Sequence, residues 1–394
     1  MITGATGAAR GLAAGVVPGR WSAAGELPKA TWLATNTAVL LGDGTVLLAG
    51  GEDARRNAFG EASVYDPGTN AWRPTGALTA TRRLHTLTRL ADGRVLAAGG
   101  IGGTFSVPPG ELASAEIYDP STETWTPTGS MGQARYFHSA NLLPDGRVLV
   151  AGGTSVRDDE SYRTLDSAEL FDPDTGTWSE TGPMTGARTG HPAVSLLDGR
   201  VLAAGGMVIV TRDDAAGISH CEIYDPASGT WKPTGNLLTP RISAEAAPLP
   251  DGSVLLTGGG QGIFQDWDYS PYSMSSTERF DPATGRWSAS EDMPWALSFH
   301  RAVPLPSGKV LVVGGTDTGC VDVGYRATFI YDPAARTWGI AGGLSVGRWD
   351  FAAVGLADGR VLAAGGIALG PLATASGAAL ELTATAELFT PDRP

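Results

Sequence analysis

Ala91-Asp92-Gly93-Arg94-Val95-Leu96-Ala97-Ala98-Gly99-Gly100 is a tight turn followed by a short apolar run that ends on two glycines. The same pattern returns at 42–51, 144–153, 197–206, 250–259, 306–315 and 357–366, making seven copies about fifty residues apart in a chain of 394. A fixed period of that size marks a solenoid, an array or a propeller.

Outward from each copy the repeat continues in a set order. A loop of variable length follows the double glycine, then a short segment ending in aromatic-Asp-Pro, then a Trp: Tyr65-Asp66-Pro67 with Trp72, Tyr118-Asp119-Pro120 with Trp125, Phe171-Asp172-Pro173 with Trp178, and so on through Trp231, Trp287 and Trp338. Asp-Pro is turn chemistry, because Pro presets φ and the Asp side chain caps its own turn. Each repeat therefore reads as four strands, which is one propeller blade. The seventh repeat stops at Phe389-Thr390-Pro391 without a Trp, while the chain begins with an orphan Trp21. The N-terminal segment is thus expected to supply the fourth strand of blade seven and remove the open edges of the array. The expectation is an all-β, seven-bladed propeller forming one domain over 21–394, behind a flexible leader at 1–20.

These motifs at these offsets resemble the kelch repeats of galactose-oxidase-like propellers, over residues from about 21 to 391. The resemblance implies the fold and is nearly silent on function, because kelch propellers include scaffolds, sialic acid mutarotases, plant specifier proteins and copper oxidases. Two of those activities are tested by the residues themselves. The copper-radical site needs a Cys-modified Tyr, a second Tyr and two His; here Cys221 stands beside Tyr224 in a third strand, and the nearest aromatic-His pairs are Phe137-His138 and Phe299-His300. The Glu-x-x-x-Asp-x-x-x-His pattern of the specifier proteins is also absent. The expectation is accordingly no cofactor.

A formal net charge of −13 argues against a nucleic-acid partner or an anionic membrane surface, since phosphate binding rests on clustered Lys and Arg. Two cysteines, Cys221 and Cys320, lie in different repeats and build neither a disulfide framework nor a metal motif. Met1 to Arg20 lacks the flanks of a signal peptide. These features lead us to expect a cytoplasmic monomer, with secretion the alternative if a signal has been trimmed.

Strand direction alternates in a four-stranded meander, so the Asp-Gly and Asp-Pro turns share one rim and the variable loops share the other. Divergent loops on a rigid scaffold are where binding sites sit. Ten residues before each Asp-Gly turn, where the innermost strand enters from the variable rim, stand Arg82, Arg135, Arg188, Arg241 and Arg348, with Leu33 and Leu297 in blades one and six. A ring of guanidinium forks suits a carboxylate or phosphate; the competing reading has them capping blades through carbonyls and Glu side chains. Three residues further on lie His85, His138, His191 and His300, read either as metal-ligand candidates or as inter-blade hydrogen-bonding groups.

Departures from the repeat carry the remaining candidates. Glu245 replaces Thr86, Ser139 or Pro192 at its register, and Asp350 interrupts a column of Leu84, Phe137, Gly190 and Phe299. With His138 and His300 they are the acid-base candidates, although Glu245 has an alternative as the ion-pair partner of Arg301. Trp32, Trp267, Tyr269, Trp295, Phe299 and Trp349 cluster in blades five, six, seven and one as a prospective aromatic wall. The acidic loops Asp158-Asp159-Glu160 and Asp213-Asp214 read as solvated surface. The function expected is binding, at the channel mouth, of a small molecule or peptide with an apolar or aromatic body and an anionic group. The alternatives are a cofactor-independent isomerase, cyclase or lyase at the same mouth, and a protein-interaction scaffold.

Overall fold

The computed structural model describes residues 19–33, 37–104, 107–156, 161–209, 215–261, 263–265, 268–269, 272–317, 323–369 and 381–392. Seven antiparallel four-stranded sheets follow the repeat. Blade two shows the common plan, with Thr86–Arg89, Val95–Ala98, Ala115–Asp119 and Thr124–Pro127 in meander order. The second strand of every blade is buried along its whole length, which is why it reads as an unbroken apolar run rather than an alternating one. Each first strand touches the first strands of both neighbouring blades, and the circle closes from blade seven back to blade one. First strands therefore line the central channel.

The double glycine is the joint between blades. Gly99 and Gly100 have φ of +64° and +94°, and a Cβ on Gly99 would stand 2.6 Å from the carbonyl oxygen of Arg135 in the next blade. The Gly100 amide donates to that same carbonyl at 2.9 Å. Only glycine allows both the backbone conformation and the approach.

Closure follows the expected route. Arg20–Glu26 pairs antiparallel with Thr385–Thr390, setting Trp21 opposite Phe389 with ring centroids 5.3 Å apart. The Trp21 indole also donates to the Thr328 hydroxyl of blade six at 3.0 Å. This outer strand begins at Arg20, one residue before the boundary expected from sequence.

On the variable rim the insertions pair with one another. Met207–Ile209 and Ala215–Gly217 from blade four join Ile263–Gln265 and Asp268–Tyr269 from blade five in an additional four-stranded sheet. Trp267 lies outside the described residues, as do Asp158, Asp159, Glu160, Asp213, Asp214 and Cys320, and of Tyr269 only the backbone is described. No helix among the described residues is long and apolar enough to cross a membrane.

Candidate functional site at the channel mouth

The five register arginines lie inside the blade wall rather than at the mouth. Arg82, Arg135, Arg188 and Arg348 are 0% exposed and Arg241 2%. Each guanidinium meets the carboxylate of a third-strand Glu: Arg82 with Glu116 at 2.7 Å, Arg135 with Glu169 and Arg188 with Glu222 at 2.8 Å, Arg241 with Glu278 and Arg348 with Glu387 at 2.9 Å. The opposite edge donates to carbonyls on the loop after the second strand, for Arg82 those of Gly99 and Ser114. The carboxylate in turn accepts two amides of the loop that enters the blade, Thr79 and Ala80 in the case of Glu116. Burial alone would push the Glu116 carboxyl up; those amides and the guanidinium bring it below its ordinary value. Each pair is a clamp that fixes two variable-rim loops against one blade. The Nη donors are consumed and the whole guanidinium is sealed from solvent, so the structure corrects the expectation that these arginines offer an anion receptor, and the capping role is the one seen.

The two blades without the arginine also lack the glutamate. Leu33 and Ser63 take the two positions in blade one, Leu297 and Phe329 in blade six, and all four are buried. A buried ion pair has been exchanged as a unit for apolar or small groups, the substitution that avoids stranding one charge. Both columns are visible in the sequence, and their blade-by-blade coincidence is the signal that identifies the clamp.

The histidine register is likewise structural in its contacts. His138 Nε2 meets the Thr86 hydroxyl of the preceding blade at 3.1 Å, and His191 meets Ser139 at 3.0 Å. In blade six the partner is Thr257 at 2.8 Å, because Glu245 occupies the position that Thr86 holds elsewhere. Burial and the neighbouring arginine push His138 and His300 each down to about 3, so the rings are uncharged at neutral pH. With Nε2 tied to a hydroxyl and burial suppressing basicity, neither is placed to act as the acid-base group expected of it. No three His, Cys, Asp or Glu among the described residues converge as a metal-ligand group. Phe137 and Phe299 precede two of these histidines where a copper-tyrosyl centre would need phenolic oxygen. The residues present do not fit that centre.

Asp350 is different. Leu84, Phe137, Gly190, Ser243, Phe299 and Asp350 share one position and one left-handed conformation, with φ between +47° and +59°. For the non-glycine members that conformation costs on the order of 1 kcal/mol each. Their amides link blade to blade around the mouth, for example Phe137 to the Leu84 carbonyl at 3.2 Å and Asp350 to that of Phe299 at 3.3 Å. Asp350 is the charged member of the set, 4% exposed, and its carboxylate accepts the Trp32 indole N–H at 3.1 Å. Burial raises its pKa to about 7; Arg301 and the Trp32 hydrogen bond oppose the rise, and Glu52 and Glu245 add to it. Glu245 is bound to Arg301 at 2.8 Å, the ion pair weighed against a general-base role in the sequence.

Around Asp350 lies a cluster the sequence did not single out. Glu52 is 2% exposed and takes Arg83 at 2.5 Å and Arg56 at 3.7 Å. Burial raises its pKa while the two guanidiniums pull it down. Arg56 lies over the Trp32 ring, 4.3 Å from its centroid, with about half of its side chain exposed. Trp32, Leu33, Thr37, Gly51, Glu52, Arg83 and Leu84 line a crevice too narrow for a water-sized sphere. The Thr37 hydroxyl and the Trp349 indole N–H are buried without a hydrogen-bond partner among the described residues. Glu52 directly follows the double glycine, where the other blades carry Ile101, Thr154, Met207, Gly260, Thr316 and Ile367, so a comparison of that column is the signal that finds it; Arg56 lies in a variable loop that offers none.

The aromatic wall divides in two. Trp32, Trp349 and Phe299 form a chain with centroids 6.5 and 5.4 Å apart. Trp295, 55% exposed, packs edge-on against Tyr325 and Phe329 instead.

Comparison with known proteins places this architecture. The model for the kelch motif matches residues 82–132 and 136–185. Kelch-like protein 34 of Homo sapiens is 28% identical over 277 residues, covering 69% of this chain and 39% of its own length. Galactose oxidase of Gibberella zeae is 26% identical over 291 residues, covering 71% and 33%. The chain thus spans about two fifths or less of the length of these relatives. Among solved structures, a copper-bound fungal alcohol oxidase of the AA5 family superposes with a TM-score of 0.71 at 20% identity over 95% of this chain and 76% of that one. YjhT gives 0.60 at 14% identity over 80% and 98%. At such identities the structural likeness concerns the fold alone.

Proposed function

Taking as premise that the chain is a kelch-repeat β-propeller of the galactose-oxidase/kelch-like superfamily, we propose that its variable-rim mouth binds a small molecule or peptide with an apolar or aromatic body and an anionic group. The anion-binding part of this reading moves from the buried register arginines to Arg56, with Arg83 behind it. The observation that carries it is the half-exposed Arg56 guanidinium held over the Trp32 ring and paired with Glu52. A guanidinium fixed in this way loses less freedom when it takes up a carboxylate. Trp349 and Phe299 extend the aromatic chain that begins at Trp32. Calorimetric titration with a series of aromatic carboxylates and their neutral amides tests the reading. Saturable binding that prefers the carboxylate and weakens at least tenfold in Arg56→Ala is expected, a loss of about 1.4 kcal/mol. Equal affinity for amide and carboxylate, or an unaltered Arg56→Ala, refutes it.

A second reading, a cofactor-independent isomerase, cyclase or lyase, now rests on Asp350 alone. A carboxyl poised near neutrality under a pair of indoles is suited to giving and taking a proton. Its test is whether any turnover found at the mouth follows a single ionisation near pH 7 that Asp350→Asn abolishes.

A further inference from the structure

Blade seven is the discontinuous blade: three of its strands come from the C-terminal end of the chain and the outermost from the N-terminal end. Strand pairing between Arg20–Glu26 and Thr385–Thr390 holds the two ends together at the periphery. A second set of bonds joins the same two ends at the channel. Arg301, on the first strand of blade six, sends Nη1 to Glu245 of blade five at 2.8 Å, Nε to the Phe351 carbonyl of blade seven at 2.7 Å, and Nη2 to the Leu33 carbonyl of blade one at 3.2 Å. One side chain therefore touches four consecutive blades.

We propose that the propeller is closed twice, by the N-terminal strand on the outside and by an Arg301 latch on the inside, and that the inner latch holds the entry loop of blade one in register at the mouth. Three observations carry this. First, the reach is specific to blade six: the positions equivalent to Arg301 are Thr86, Ser139, Pro192, Glu245, Ala352 and Thr37, none long enough to cross a neighbouring blade, and the methyl of Ala352 leaves the guanidinium room to pass. Second, the charge is matched where it is buried. Arg301 is 7% exposed, and its three acceptors diverge as the planar fork of a guanidinium requires; an ammonium could not serve all three. Third, the loop it grips is joined to blade seven by separate bonds that depend on its position. The Leu33 amide donates to the Asp350 carbonyl at 3.1 Å, the Trp32 indole to the Asp350 carboxylate at 3.1 Å, and the Gly366 amide to the Thr31 carbonyl at 2.8 Å. None of these involves the outer strand, so the inner closure is a distinct set of contacts and does not merely extend the outer one.

Amide hydrogen exchange on the full chain separates the two closures. Leu33 and Gly366 report on the inside, and Trp21 to Ala23 on the outside. In Arg301→Met the inner amides should exchange about tenfold faster or more while the outer ones keep their rates, the signature of a local opening. Arg301→Lys, which retains the charge opposite Glu245 but not the fork, should show the same pattern and not restore protection. Acceleration of inner and outer amides by one common factor would mean that Arg301 contributes only to global stability, and unaltered inner amides would mean that no latch exists; either result overturns the proposal. If Arg301→Met does not fold, Arg301→Lys and Glu245→Gln, which leaves both carbonyl bonds in place, decide on the same comparison.

Discussion

Replacing Asp350 by Asn should stabilise the propeller in alkaline solution and matter progressively less toward acid. The folded protein holds this carboxyl at about 7, raised from its ordinary 3.8 by burial. The unfolded chain thus releases the proton near pH 4, whereas the folded chain keeps it to about pH 7. The stability the proton provides is fully present below the unfolded value and is lost as pH rises through the folded one. A displacement of about three pKa units corresponds to on the order of 4 kcal/mol, of which about 3 kcal/mol develops between pH 5 and pH 8. Asn is close in size, accepts the Trp32 indole hydrogen bond and carries no charge, so it escapes the penalty. Urea unfolding of both proteins at pH 5, 6, 7 and 8 gives the difference directly, and subtraction cancels every other titrating group. The Asn variant should gain on the wild type by about 3 kcal/mol across that range. A difference that stays flat within about 0.5 kcal/mol would show that Asp350 is solvated as an ordinary carboxylate, and the acid-base reading would fall with it.

Two further outcomes follow from the architecture. In blade four, Arg188→Leu and Glu222→Phe should each cost about 3–5 kcal/mol by leaving a buried charge unpaired, while the double variant, which copies the Leu297 and Phe329 of blade six, should recover more than half of the summed loss in a double-mutant cycle. Deleting the chain through Leu27 removes the outer strand of blade seven and should lower the melting temperature of the whole domain; an unaltered melting temperature would contradict strand closure.

Most of the fold was legible because the repeat states it seven times over, and the orphan Trp21 together with the missing seventh Trp located the seam. The site was legible only where it broke that repeat. Asp350 stood out against Leu84, Phe137 and Phe299, and the pairing of Glu245 with Arg301 was open to inspection once the two were placed at one register of adjacent blades. The register arginines misled for a physical reason: sequence fixes where a strand enters the mouth, but not whether a long side chain turns toward the channel or back into its own blade. The coincident glutamate column resolves that direction. Glu52 also broke the repeat, standing directly after the double glycine where the other blades carry Ile101, Thr154, Met207, Gly260, Thr316 and Ile367, but that column was not compared; Arg56 lies in the variable loop beyond it, and only tertiary contact with Trp32 reveals it.

The sheet shared by the insertions of blades four and five makes two loops a single heritable part. Ala215–Gly217 has Met207–Ile209 on one side and Ile263–Gln265 on the other. Shortening the blade-five insertion alone would leave the blade-four hairpin with a bare edge, open to pairing with another molecule. Loop libraries on this scaffold should therefore exchange the two insertions as one cassette and keep Thr164 and Glu111 fixed, because the Ile209 amide of that cassette donates to the Thr164 hydroxyl of the blade-three hairpin at 2.8 Å and the Val156 amide of that hairpin donates to Glu111 of blade two at 2.9 Å.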